Sequence, residues 1–108
     1  MSSAVERLRQ QLAARGAQPA LRDGPRGWSY AELLEAVAER EQHLRRQGVQ
    51  RLAIALDNGA EWLFWDLAAL FAGVVCVPLP GFFSPAQQRH VLDSAGVDAL
   101  LAADPQAY

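Results

Sequence analysis

The stretch Arg51–Leu79, RLAIALDNGAEWLFWDLAALFAGVVCVPL, decides the fold. It opens with one short apolar run, Arg51–Leu56, and closes with another, Val74–Leu79. Between them Asn58 and Glu61 stand at the spacing of a loose capping box, and Gly73 stands where a left-handed residue ends a helix. Trp62, Leu63, Phe64, Trp65, Leu67, Leu70 and Phe71 cover nearly every direction around that helix, so burial on more than one side is expected. A strand, a helix and a second strand at this spacing imply parallel strands joined by a right-handed crossover. The unbroken run Val74–Val77 is the composition of a strand covered on both faces.

Further along, Asp98–Ala102 gives a third apolar run, so strands recur about every 23 residues. Ser3-Ala-Val-Glu6, Ser29-Tyr-Ala-Glu32 and Ser84-Pro-Ala-Gln87 each fit the capping box, in which cap and third residue satisfy each other's orphan N–H groups. Pro85 falls at a first helical position, where its missing N–H costs nothing. Gly16, Gly48, Gly73 and Gly96 supply four stops. Helices are expected over 3–15, 30–47, 59–72 and 85–95. The second carries an apolar stripe of Tyr30, Leu33, Leu34, Val37 and Leu44, with Glu35, Glu39, Arg40, Arg45 and Arg46 away from it. Ala20–Asp23 and Trp28–Tyr30 flank Gly24-Pro25-Arg26-Gly27 and predict a β-hairpin before the first crossover helix. The fold class is α/β: a partial doubly wound sheet of mainly parallel strands with crossover helices, preceded by a helix and a β-hairpin.

Bulk composition narrows the function. The 108 residues make one domain's length, 51% hydrophobic and 20% charged, as in an ordinary globular protein. A net charge of -2 leaves no electrostatic footprint for nucleic acid or an anionic membrane. All 10 basic residues are arginine, which suggests a GC-rich bacterial gene and leaves no lysine for a phosphate clamp or Schiff base. One cysteine, Cys76, excludes an internal disulfide. The charged start is no secretory signal, and Asp66, Gly73 and two prolines break the longest apolar stretch. The cytoplasm is the expected location.

Few residues invite chemistry. The turn Leu56-Asp57-Asn58-Gly59-Ala60-Glu61 has one glycine and two acids, which suits capping better than phosphate binding. Pro78-Leu79-Pro80-Gly81-Phe82-Phe83-Ser84 carries two adjacent phenylalanines, read either as part of a ligand channel or, preferably, as a packing contact with structure partly outside this chain. His43 reads as a solvated surface residue. His90 reads as the partner of Asp93 three residues on. Cys76 fits inert packing in a strand, and Asp23 and Asp57 fit local backbone bonding at strand ends. Trp62 and Trp65 read as core, and no metal-ligand spacing is present.

The ordered pieces Pro19-Ala-Leu-Arg-Asp-Gly24, Trp28-Ser-Tyr-Ala-Glu-Leu33, Gly48-Val49, Arg51–Asn58, Glu61, Leu67-Ala-Ala-Leu-Phe-Ala-Gly73 and Val77-Pro-Leu-Pro80 resemble the start of the adenylate-forming superfamily. That superfamily includes acyl- and aryl-CoA synthetases, luciferases and nonribosomal-peptide adenylation domains. The resemblance implies a parent enzyme that joins a carboxylate to ATP, with Mg²⁺, and passes the acyl-adenylate to coenzyme A or a carrier-protein thiol. The family's Ser/Thr/Gly-rich phosphate loop with its lysine, its acidic residues for Mg²⁺ and ribose, and its C-terminal lysine have no counterpart here. No catalytic, substrate-binding, cofactor-binding or metal residue is therefore assigned. Family enzymes are several times longer, so residues 1–108 read as one unit, the opening part of the large N-terminal domain, with a native start at Met1 and a cut after Asp104-Pro105. Its expected partners are the downstream part of its own polypeptide and other copies of itself. At most, Phe82 and Phe83 would border an acyl tunnel. The competing account is a stand-alone α/β binding or scaffold module, flavodoxin-like in outline, with a ligand crevice at the strand carboxyl ends.

Overall fold

A computed structural model describes residues 3–57 and 59–102. Helix α1 (Ala4–Ala14) leads into a hairpin of β1 (Pro19–Asp23) and β2 (Arg26–Ser29). Then come α2 (Tyr30–Arg46), β3 (Arg51–Ala55), α3 (Ala60–Ala72), β4 (Val75–Pro78), α4 (Pro85–Ser94) and β5 (Ala99–Ala102). The hairpin is antiparallel; the other three strands form a parallel sheet in the order β4-β3-β5. The α/β expectation holds, element for element.

Local chemistry explains the boundaries. Ser29 and Ser84 make complete capping boxes with Glu32 and Gln87, whereas Ser3 accepts from the Glu6 N–H without the reciprocal bond. Gly16, Gly48, Gly73 and Gly96 all have positive φ at the helix ends, as their placement required. The hairpin turn is tighter than expected. Arg26 and Gly27 already pair with Asp23 and Arg22, so Gly24-Pro25 alone makes the connection. Gly24 at φ 60 supplies the left-handed first position that a two-residue turn of this kind needs.

The expected Asn58 cap lies outside the described residues, and α3 has no cap from its own N-cap, Gly59. Asp23 does that work from the hairpin: its Oδ2 accepts the Ala60 N–H at 3.1 Å. The local backbone role expected of Asp23 is therefore corrected to a bond spanning 37 residues. A side chain on Gly59 would meet the same oxygen at 3.1 Å, so glycine makes room for the cap.

The core lies between the sheet and helices α2 and α3, built on Leu33, Val37, Leu44, Leu52, Ile54, Phe64, Ala68 and Phe71. Trp28 meets Phe64 edge-on at 5.4 Å, which fixes the hairpin over α3. One expectation fails on the sheet's second face, and α3 keeps one exposed apolar residue. Val75 is 49% exposed, so the apolar run in β4 is not covered on both sides. Leu70 on α3 is 44% exposed, although the rest of that helix is largely covered. Helix α4 covers the second face only in part. Arg51 donates to the Ala95 carbonyl at 3.0 Å, which places the C-terminal end of α4 over the face that holds Arg51 and the fully buried Ala53. Helices α3 and α4 thus lie on opposite faces, the doubly wound arrangement.

Arg40 and Arg45, away from the apolar stripe of α2 as expected, also reach across to α3. Arg40 stacks on Phe64 at 4.9 Å and grips Glu61 of α3 at 2.7 and 2.9 Å. Arg45 bonds Glu41 and the Phe71 carbonyl. Their long stems lie along apolar surface while their forks find acceptors on α3 and α2.

Candidate functional site

The chain leaves β3 toward α3 on one face and leaves β4 toward α4 on the other. Adjacent strands whose carboxyl ends feed opposite faces open a crevice between them, the place where open α/β sheets bind ligands. A crevice of about 370 Å³ is found there, lined by Ile54, Leu56, Asp57, Trp62, Pro78, Leu79, Pro80, Gly81 and Phe82.

Its chemistry is apolar with one exposed carboxylate, Asp57, on the rim. The N-terminus of α3 follows Asp57 in the chain, and a helix N-terminus is the natural seat for an anion. Asp23 already occupies it through the Ala60 N–H. A phosphate would have to displace an internal carboxylate and then sit beside Asp57. The expected capping by Asn58 lies outside the described residues, and the cap seen here comes from Asp23 of the hairpin.

Phe82 is 85% exposed and meets Phe83 edge-on at 5.3 Å, with Phe83 half-buried. The preferred packing account finds no cover for Phe82 among the described residues. Trp62 lines the crevice, while Trp65 turns elsewhere and donates its indole N–H to Glu61 at 3.0 Å. The two tryptophans therefore form no joint stacking platform. His43 is exposed, as expected, with its ring edge-on to Trp65 at 6.0 Å between centroids. The expected His90–Asp93 pair is absent from the ion pairs of the described residues; both side chains are exposed, where such a pair gains little. Among the described residues no group of three metal-ligating side chains converges, and no helix is long and apolar enough to cross a membrane.

Two polar residues that matter carry no sequence motif. Glu41 is 8% exposed on α2 between Arg9 and Arg45. Asp98 accepts the N–H groups of Gln50 at 3.1 Å and Arg51 at 3.2 Å, clamping the start of β3 to the start of β5. Asp98 stands just ahead of an apolar run, and only that position hinted at its use.

Cys76 is half-buried on the core side of β4. Burial, reinforced by the Asp66 carboxylate, pushes its thiol up to about 11 from an ordinary 9.0. At neutral pH the thiolate fraction is then about a hundredfold below that of the unfolded chain. Iodoacetamide should label native Cys76 at least tenfold more slowly than the urea-unfolded protein; equal rates at pH 7.5 would refute its shielding. Because the folded thiol holds its proton longer, this group's contribution to stability is intact below pH 9.0 and fades toward about pH 11.

Asp23→Ala should lower stability by about 1 kcal/mol, the usual worth of an N-cap, with Asp23→Asn retaining most of it. Urea titration of the two variants checks this. A harmless Asp23→Ala would mean that the α3 terminus is capped by other means.

The fold is thus a doubly wound α/β unit with an apolar crevice at the carboxyl ends of β3 and β4. The chain belongs to the AMP-binding enzyme family, whose model matches residues 8–107. It is 32% identical over 93 residues to the probable nonribosomal peptide synthetase CymA of Salinispora arenicola (strain CNS-205), covering 83% of this chain and 1% of that protein. The solved complex of VinN with L-aspartate superposes with a TM-score of 0.88 at 28% identity, over 97% of this chain and 28% of VinN. O-succinylbenzoate coenzyme A synthetase (MenE) of Bacillus subtilis, in complex with AMP, gives a TM-score of 0.84 at 25% identity, over 93% of this chain and 28% of the enzyme. This chain therefore spans under a third of each of these proteins.

Proposed function

We propose that residues 1–108 are the opening scaffold of an ATP-dependent carboxylate-activating ligase and catalyse nothing alone. The observation that carries this reading is the crevice lining: apolar side chains, two prolines and a rim carboxylate, with the α3 terminus already neutralised by Asp23. Such a surface suits a wall against which other elements are placed, and it is poor in donors for a triphosphate. The lysine-free sequence and the small share of each relative that it spans support the same reading.

In this role α3 and β4 give shape, and the rest of the parent polypeptide supplies ATP, Mg²⁺ and carboxylate binding. Acyl-adenylate formation followed by thioester formation on coenzyme A or a carrier-protein thiol is the reaction of that parent. The kinship with both a peptide synthetase and a coenzyme A synthetase leaves both acceptors within the family's reach. Phe82 lines the crevice and Phe83 packs edge-on against it, and together they would border an acyl channel. Replacing both with alanine in the full enzyme should then shift its chain-length preference, and an unchanged preference removes them from that role.

ATP–pyrophosphate exchange with a panel of aliphatic, aromatic and amino acids tests the main proposal. The 108-residue chain should give no exchange above background. Clear exchange would overturn the scaffold role, and tight uptake of one small molecule into the crevice without exchange would favour a stand-alone binding module.

A further inference from the structure

The hairpin and the crevice share no lining residue, yet the first turn of α3 joins them. Ala60, Glu61 and Trp62 follow one another on that turn, and Trp62 lines the crevice. The Ala60 N–H is held by Asp23 Oδ2 of the hairpin at 3.1 Å. Glu61 Oε1 takes the Arg40 guanidinium of α2 at 2.7 and 2.9 Å. One turn further on, Trp28 of β2 meets the Phe64 ring.

The first turn of a helix is ordinarily where it frays, because its leading N–H groups have no partner within the helix. Gly59 offers no side chain to cap them. The hold on this turn therefore comes from other elements. The carboxylate of Glu61 is more than half exposed, so water screens the tie to Arg40. The Asp23 bond is partly buried and leaves its mark on the chain. A Cβ at Gly59 would stand 3.1 Å from Asp23 Oδ2, although the φ of 165 at Gly59 is extended backbone open to any residue. Glycine is needed there by the carboxylate, not by the backbone.

We infer that the hairpin sets the Trp62 wall of the crevice, with Asp23 the positioning residue for a site it does not touch. Whatever lifts Asp23 from Ala60 loosens the turn that carries Trp62, so the shape of the crevice follows the hairpin. Every contact in this chain of action lies among the described residues, and the coupling is independent of the catalytic reading above.

Proton–nitrogen NMR on the 108-residue chain tests it, with Trp62→Phe assigning the Trp62 indole signal. Losing an N-cap should open the first turn about fivefold more often. Asp23→Ala should therefore move the Trp62 indole signal toward its position in the urea-unfolded protein. It should also speed exchange of the Leu63 amide, which bonds the Gly59 carbonyl at 3.2 Å, by about fivefold. Asp23→Asn keeps an acceptor and should leave both near wild type. Gly59→Ala should reproduce Asp23→Ala, and the double variant should be no worse than either, because both act through one bond. Asp98→Ala breaks the carboxylate clamp at the opposite end of the sheet and should leave Trp62 in place. Circular dichroism on each variant verifies folding. A Trp62 signal unmoved in Asp23→Ala, one moved equally by Asp98→Ala, or additive effects in the double variant would each overturn the inference.

Discussion

Phe64→Ala should lower the stability of this chain by about 3–5 kcal/mol, enough to remove most of the margin that a domain of this size possesses. Phe64 is 3% exposed and makes contacts on several sides at once. Trp28 of the hairpin meets it edge-on at 5.4 Å, and the Arg40 guanidinium lies 4.9 Å from its ring. Truncation leaves a cavity bordered by elements that hold one another in place, so the site collapses poorly. Phe64→Leu should cost about 1.5 kcal/mol or less, because most of the volume remains. Phe82→Ala, at 85% exposure, should stay within about 0.5 kcal/mol of wild type. Urea denaturation of the three variants ranks them. A Phe64→Ala protein as stable as Phe82→Ala would show that the hairpin does not share the core.

The second large effect is expected at Glu41. Its carboxylate takes Arg45 at 2.9 and 3.1 Å and Arg9 at 3.2 and 3.3 Å, while Arg45 also donates to the Phe71 carbonyl at 3.0 Å. Arg9 stacks over the Phe71 ring at 4.4 Å. One acid thus joins α1, α2 and the end of α3. Removing one member of a fully buried pair costs about 3–5 kcal/mol. Arg9 and Arg45 are 35% and 55% exposed, so water screens part of the loss and about 1–3 kcal/mol is expected for Glu41→Ala. Glu41→Gln should recover part of it by keeping hydrogen bonds without charge. Hydrogen exchange locates the damage: α1 amides should lose protection first, since α1 buries no residue fully and depends on this tie. An α1 that stays protected in Glu41→Ala would break the assignment.

The elements could be read from the chain because their signals are local. Ser29 with Glu32 and Ser84 with Gln87 are pairs three residues apart, and the four stop glycines act on their own φ angles. Parallel pairing followed from the alternation of apolar runs with helices, which leaves few topologies. Long-range polar pairing was not legible. Nothing near Asp23 announces that it caps a helix 37 residues on, and Glu41 sits among charged neighbours that stay exposed. Val75 misled for a different reason. An apolar composition reports what a strand is made to meet, and among the described residues nothing covers Val75 fully. The crevice was anticipated only for the stand-alone alternative, yet it follows from the reversal of strand order in the sheet and belongs to either account.

The bond from the hairpin to the first turn of α3 has a practical consequence. Since the Ala60 N–H is held by a carboxylate that arrives from another part of the chain, the exchange rate of that single amide with solvent deuterium reports how often the hairpin lifts away. Two-dimensional NMR on the intact protein could therefore follow the opening of β1 and β2 from a probe on a different element. Ala60 would brighten or fade as a gauge of motion it does not itself undergo.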